Sequence, residues 1–276
     1  MNAIPASSQA DLQQLGFVCT RAPKPLNEIV HSYWQISGRL RCEQREYLHP
    51  DGKLGLVFNW GDQQALSHGI LYGPGANLDP VHTHSVALSL RNQLACFGVL
   101  LEPGVAHRLF DVPAHQLSSL QDLNNSLQSQ LQGLTYPLSE APDFLSRVTL
   151  VEQWLSLRLA QRDSPRQASH HAIQILQQNP VHTGVEQLCV QVNLSRRQLE
   201  RLLQRDLGLS YKQFQNLLRV RCARGAIKKQ STRSLSDIAL ACGFYDQAHF
   251  NRVFSASMGI TPGHYRQLTK TVASQS

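Results

Sequence analysis

Two short runs carry polar side chains at a spacing suited to the edges of nucleic-acid bases. In Arg196 to Arg205 (RRQLERLLQR), Leu199, Leu202 and Leu203 mark one apolar side of a helix. That leaves Arg197, Glu200, Arg201 and Gln204 outward, with Arg196 at the helix start. In Gln247 to Ser255 (QAHFNRVFS), Phe250, Val253 and Phe254 turn inward, so Gln247, Ala248, His249, Asn251 and Arg252 face out. An arginine fork can bridge two acceptors of guanine in the major groove, and an Asn or Gln amide can pair with adenine. The competing reading is a solvated polar helix face. Recurrence of the pattern favours recognition.

The two runs belong to an internal repeat. Downstream of each turn the offset is 51 residues: Leu199 falls on Phe250, Arg201 on Arg252, Leu203 on Phe254, Gly208 on Gly259 and Phe214 on Tyr265. Upstream it is 50, with Leu188 on Ile238, Val192 on Cys242, Asn193 on Gly243 and Leu194 on Phe244. Tyr245 is the extra residue, and it lies in the turn. Each unit reads as helix, tight turn, helix. Thr183 with Glu186, and Ser234 with Asp237, have the spacing of capping boxes at the first helices. Asn193 and Gly243 suit the left-handed conformation that ends them, and Ser195 and Asp246 suit the N-caps of the second helices. In helix-turn-helix units the second helix enters the major groove. A helix from about Lys212 to Lys229 would join the units, spanning roughly 25 Å at 1.5 Å per residue. It would hold the reading helices about one DNA turn (~34 Å) apart. Arg219, Arg221, Arg224, Lys228 and Lys229 are candidates to meet phosphates.

Charge agrees with that placement. Residues 166–276 hold 15 Lys/Arg against 5 Asp/Glu, whereas residues 1–165 hold 11 against 14. The excess that makes the net charge +7 therefore lies in the C-terminal part, which points to a polyanionic partner. Cys19, Cys42, Cys96, Cys189, Cys222 and Cys242 include no C-x-x-C pair, which argues against a zinc knuckle, and their surroundings read as buried apolar positions. The first residues lack the basic flank and apolar core of a secretion signal, and no apolar run approaches the ~18 residues of a membrane span. The expectation is a cytoplasmic protein without membrane contact.

The N-terminal half reads as short strands: Leu54–Trp60, Gly69–Tyr72, Val86–Leu90 and Leu94–Leu101, divided by turn residues such as Pro50, Asp51 and Gly52. A polar helix with Leu117, Leu120, Leu123, Leu127 and Leu131 at helical spacing is expected over 116–131. A second is expected over 143–160, with Phe144, Val148, Val151, Leu155 and Leu159 as its stripe. That stripe either pairs two chains in a homodimer or packs on its own domain's strands. The expected fold is α+β: a β-rich N-terminal regulatory domain with C-terminal helices (1–162), a linker (163–169), and an all-α domain of two helix-turn-helix units joined by a linker helix (170–270).

The run Asp237–Phe254 (DIALACGFYDQAHFNRVF), closed by Gly259–Arg266 (GITPGHYR), resembles the AraC/XylS family of bacterial transcription regulators. The likeness extends over about a hundred residues. It departs at Asn193, where the family usually has Gly, and at Leu203, where Phe is common. The resemblance implies a bipartite module on double-stranded promoter DNA, with RNA polymerase as a further partner. The N-terminal half is similar to a less-studied sensor-type domain found ahead of such modules, through Tyr33-Trp34, His49-Pro50-Asp51-Gly52, Phe58-Asn59, Phe97-Gly98-Val99 and Pro103-Gly104. This implies control by a small-molecule or protein effector of unknown class.

Two other function classes make different demands on the sequence. A metal-dependent, cupin-like enzyme fused to a DNA-binding module would use His82, His84 and His107, since imidazoles two apart on a strand share a face. Its expected glutamate is missing between Val86 and Gln93, and Pro80–His84 reads as a loop. No nucleophile-base pair, phosphate loop or paired carboxylates suggest catalysis, and no cofactor is implied. A non-specific coat on DNA would need basic charge along the whole chain. Trp34, Phe58, Trp60 and Phe97 read as plain core in preference to a ligand pocket.

Overall fold

The computed structural model describes residues 15–67, 69, 71–160, 168–181, 183–229 and 232–273. Among the described residues, nine strands form two antiparallel sheets: β1 (Val18–Arg21), β2 (Val30–Arg39), β3 (Gln44–Leu48), β4 (Leu54–Asn59), β5 (Gln64–Leu66), β6 (Leu71–Tyr72), β7 (Gly75–Asp79), β8 (Val86–Leu90) and β9 (Gln93–Leu101). The larger sheet runs β1-β2-β9-β4-β7 and the smaller β3-β8-β5-β6. All six residues of β4 are buried, because both faces of its sheet are covered. Leu56 and Phe58 point to one core with Phe97, Val99 and Tyr33. Val57 points to the other with Ile36, Cys96 and Leu90 of the smaller sheet. The run that reads as continuously apolar is thus a central strand between two cores. Phe58 and Phe97 are fully buried packing residues, and Trp60 flanks the same core.

Helices α1 (Ala106–Phe110), α2 (Asn125–Glu140) and α3 (Phe144–Ala160) cover the outer face of the larger sheet. The expected helix over 116–131 is displaced. Residues 114–116 and 120–122 form 3₁₀ turns, and α2 starts only after Asn124, whose side chain accepts the Leu127 N–H at 2.9 Å. The Asp122 carboxylate explains the delay: it gathers the backbone N–H and hydroxyl groups of Ser118 and Ser119, a local alternative to helix. Leu117, Leu123, Leu127 and Leu131 are buried all the same. In α3, Val148, Val151 and Leu155 belong to the core of their own half, with Phe144 and Leu159 against it. The stripe is covered by that half's own strands and helices, the second of the two arrangements expected for it.

Beyond the expected linker, whose residues up to 167 lie outside the described ones, the chain is helical from Ala168. The elements are α4 (Ala168–Gln178), α5 (Val185–Val192), α6 (Arg196–Leu207), α7 (Tyr211–Lys229), α8 (Leu235–Ala241), α9 (Gln247–Met258) and α10 (Pro262–Ala273). Two separate cores form. One joins Leu188, Val192, Leu199, Leu203 and Leu207 to Ile173 and Leu176 of α4. The other joins Ile238, Cys242, Phe244, Phe250, Phe254 and Met258 to Tyr265 of α10. Helix α7 serves both, with Phe214, Leu217 and Leu218 in the first and Val220, Ala223 and Ile227 in the second. Among the described residues, no helix is long and apolar enough to cross a membrane.

Candidate nucleic-acid interface

Helix α6 begins with a full capping box. The Ser195 hydroxyl accepts the Gln198 N–H at 3.3 Å, and the Gln198 side chain accepts the Ser195 N–H at 2.8 Å. The turn before it rests on Asn193 at φ 53°, the left-handed conformation expected there. Leu199 and Leu203 are buried and Leu202 half-buried, so Arg196, Arg197, Arg201 and Gln204 stand exposed in one row. Glu200 is partly withdrawn: its carboxylate accepts the Tyr211 N–H at 3.1 Å and caps the start of α7. The first-helix cap differs from expectation. The Thr183 hydroxyl donates to the Asn179 carbonyl at 2.9 Å, tied to the preceding turn, so Gly184 is the N-cap without side-chain help.

The second unit is built alike. The Ser234 hydroxyl accepts the Asp237 N–H at 3.0 Å, Gly243 adopts φ 79°, and the Asp246 carboxylate accepts the His249 N–H at 2.6 Å. Gln247, Ala248, Asn251 and Arg252 are exposed. His249 is half-buried, its ring edge-on to Phe244 with centroids 5.7 Å apart. Burial and the nearby Arg252 and Arg219 charges push its pKa down, which favours the neutral imidazole. Gln247 already accepts the Ser236 hydroxyl at 2.9 Å. Of the candidate phosphate residues, Lys228 and Lys229 are exposed at the end of α7, whereas Arg219, Arg221 and Arg224 are half-buried.

A surface that sequence reading missed joins the two halves of the molecule. Gly52 (φ 78°) leaves room for the Phe214 ring: a Cβ there would sit 2.8 Å from Phe214 Cε2. Gly104 does the same for Ile173, whose Cδ1 would be 2.3 Å away. Left-handed backbone and close approach both demand glycine at these sites. His115 donates from Nδ1 to the Gln204 carbonyl at 3.0 Å, on α6. At the second unit the Ser85 N–H donates to the Ser257 carbonyl at 2.7 Å. His49 holds the Ser85 hydroxyl at 2.9 Å, and burial with the Arg224 and Lys228 charges pushes its pKa down to about 3. Thr83 and Arg252 border one shallow groove with Gln213 and Asn216. The turn motifs at 49–52 and 103–104 therefore serve as docking points; the sequence signal was their positive-φ glycines, without the partners that fill the space.

The histidines considered for a metal do not gather. His82 sits in a loop and bonds the Asp79 carboxylate at 2.7 Å, and His107 lies on α1. Among the described residues no group of three metal-ligating side chains forms. The cysteines also differ from the expected uniform burial: Cys19 and Cys42 are exposed, Cys189 and Cys222 intermediate, and Cys96 and Cys242 buried.

A family model described as a helix-turn-helix domain matches residues 188–268, and one described as a domain of unknown function (DUF6597) matches residues 20–121. The chain is 40% identical over 83 residues to the HTH-type transcriptional regulator GbdR of Pseudomonas aeruginosa, covering 30% of this chain and 22% of that relative. It is 32% identical over 89 residues to the HTH-type transcriptional activator RhaR of Klebsiella pneumoniae, covering 32% of this chain and 31% of that relative. The chain thus spans less than a third of the length of either relative. A solved structure of ToxT from Vibrio cholerae is similar over 86% of this chain and 98% of its own, with 11% identity and a TM-score of 0.48.

Proposed function

We propose that this chain, whose C-terminal module is of the AraC/XylS helix-turn-helix type, is a transcription regulator that binds promoter DNA through two adjacent major-groove segments. In this reading 1–162 is the regulatory domain, 163–169 the linker and 170–270 the DNA-binding domain. One observation carries it: two capped helices, α6 and α9, each present an exposed polar row, with Arg201 and Arg252 in equivalent places, at the two ends of a single helix, α7. Arg196, Arg197, Arg201 and Gln204 would read one half-site, and Gln247, Ala248, His249, Asn251 and Arg252 the other. Glu200 would act mainly by fixing α7. Lys228 and Lys229 would hold phosphate.

Control by an effector at the N-terminal half fits the contacts that half makes with both units, at Gln204 and Phe214 on one side and Ser257 on the other. A ligand that shifted the turns at Gly52 or Gly104 would bias the helices docked on them. RNA polymerase is the protein partner such a role requires. The experiment is selection of duplexes from a random pool with the full chain at raised salt, where phosphate attraction fades and base readout persists. The expected product is a two-part site with centres roughly one helical turn apart. Equal affinity for all sequences would overturn the reading.

A further inference from the structure

We propose that Cys222 and Cys242 form a peroxide-sensitive dithiol whose disulfide ties α7 to α8 and disturbs the second reading helix. The Cys242 thiol donates to Cys222 Sγ at 2.8 Å, well inside ordinary contact between sulfur atoms. A disulfide of about 2.05 Å needs only roughly 0.8 Å more approach. Packing alone does not call for a thiol here, because the equivalent position in the first unit is Val192, also buried. The two sulfurs also have different surroundings. Cys222 is half-buried on α7, open to a small oxidant, and the Cys242 S–H and the Arg221 charge hold its pKa below the usual thiol range. Cys242 is buried at the end of α8, and its hydrogen bond to Cys222, together with burial, pushes its pKa up. One thiol is placed to attack and the other to resolve.

The oxidant is hydrogen peroxide. The Cys222 thiolate attacks one peroxide oxygen, the O–O bond breaks, and the leaving hydroxide takes a proton from solvent to become water. Cys222 is now a sulfenic acid. The Cys242 sulfur attacks Cys222 Sγ, the S–O bond breaks, and the departing oxygen leaves as water with the proton of the Cys242 thiol. Two thiols lose two electrons and two protons in total, and one peroxide becomes two waters. Closure pulls Cys242 toward α7. Cys242 directly precedes Gly243, Phe244 and the Asp246 cap, so the entry of α9 shifts in a close-packed core that cannot absorb the movement locally.

The test uses the full chain treated with stoichiometric peroxide, with the exposed Cys19 and Cys42 as internal controls. Peptide mapping without reductant should find one cross-link, Cys222 to Cys242, reversed by dithiothreitol. Cys242→Ser should instead leave Cys222 as a sulfenic acid trapped by dimedone. On a duplex selected by the reduced protein, oxidation should weaken binding about fivefold or more, with footprint loss confined to the half-site under α9. Oxidation of Cys19 and Cys42 while Cys222 and Cys242 stay reduced overturns the proposal, as does a cross-link that leaves affinity unchanged. The DNA arm rests on the proposed regulator reading. If the reduced protein selects no sequence, that reading fails, and the peptide map still decides the thiol chemistry.

Discussion

The two helix-turn-helix units share one backbone plan and reach it with different chemistry. The first is packed by Leu188, Leu199, Leu203 and Leu207, and its second helix carries Arg196, Arg197, Arg201 and Arg205. The second is packed by a run of rings, Phe244 to Phe250 to Phe254 to Tyr265, with centroids 4.9, 5.4 and 5.6 Å apart. Its second helix has a single arginine, Arg252, among Gln247, His249 and Asn251. Apolar periodicity and caps dictate the shared shape; the residues left outward are free to differ. In the proposed regulator reading, the first unit would rely on attraction to phosphate and guanine, the second on hydrogen-bonded choice.

The cores should separate the units most strongly. Phe250→Ala removes a fully buried ring packed tilted against Phe244 and edge-on to Phe254, and should cost about 4–5 kcal/mol, since aromatic pairs contribute beyond their area. Leu203→Ala, equally buried, should cost about 3 kcal/mol. Denaturant unfolding followed by circular dichroism measures both. Equal losses would mean that the aromatic run adds nothing to plain burial.

On DNA the expected effects are smaller. Arg201→Ala and Arg252→Ala should each cost about 1–3 kcal/mol on the native site and relax base preference in different halves of it. Asn251→Ala should change preference without changing the salt slope, whereas Lys228→Ala or Lys229→Ala should weaken all sequences alike and lower the slope by about one. Binding-site selection on each variant, with salt titrations, checks this. If both arginine variants keep the wild-type preference and lose affinity alone, they are phosphate clamps and the contrast between the units disappears.

Much of this contrast was legible in the sequence because its causes are local. The repeat, the left-handed Asn193 and Gly243, and the Ser195 and Asp246 caps depend on neighbours within four residues. Strands β4, β8 and β9 were legible for a related reason, their compact apolar runs. The long strand β2 was not, because its burial follows no clean alternation: its residues meet two cores on opposite faces. The displaced start of α2 turned on Asp122 preferring two serines. The docking of Phe214 and Ile173 on Gly52 and Gly104 joins residues far apart in the chain, so no spacing rule announces it. The Cys222–Cys242 approach is hidden in the same way.

The contact with the second unit should also respond to pH. His49 lies against α7, faced by Arg224 and Lys228 and bonded to the Ser85 hydroxyl; its pKa is pushed down to about 3. A histidine depressed in the folded state contributes stability that is fully present above its unfolded value of about 6.5 and is lost as pH falls toward 3. Carboxylates titrate in the lower part of that window, so the comparison is with His49→Gln. Between pH 6.5 and 5 the wild type should lose stability relative to the variant. Parallel curves would mean that the imidazole is not shielded at this contact.

The smallest effect sharpens the comparison between the two turns. Asn193 and Gly243 hold the same place, at φ 53° and 79°, and exchanging their residue types tests whether the surroundings are equivalent. Asn193→Gly relieves a mildly unfavourable left-handed backbone but adds freedom to the unfolded chain, so the net change should stay within a few tenths of a kcal/mol. Gly243→Asn meets a tighter site. A Cβ there would lie 3.0 Å from Val181 Cγ1, 3.1 Å from Val181 Cα and 3.2 Å from Arg219 Nε. Asparagine tolerates the backbone conformation, so the strain is steric, and the loss should be about 1 kcal/mol. Thermal unfolding of the two variants reads the difference. A Gly243→Asn variant as stable as wild type would show that Val181 and Arg219 yield freely, and that the turns differ by residue choice alone.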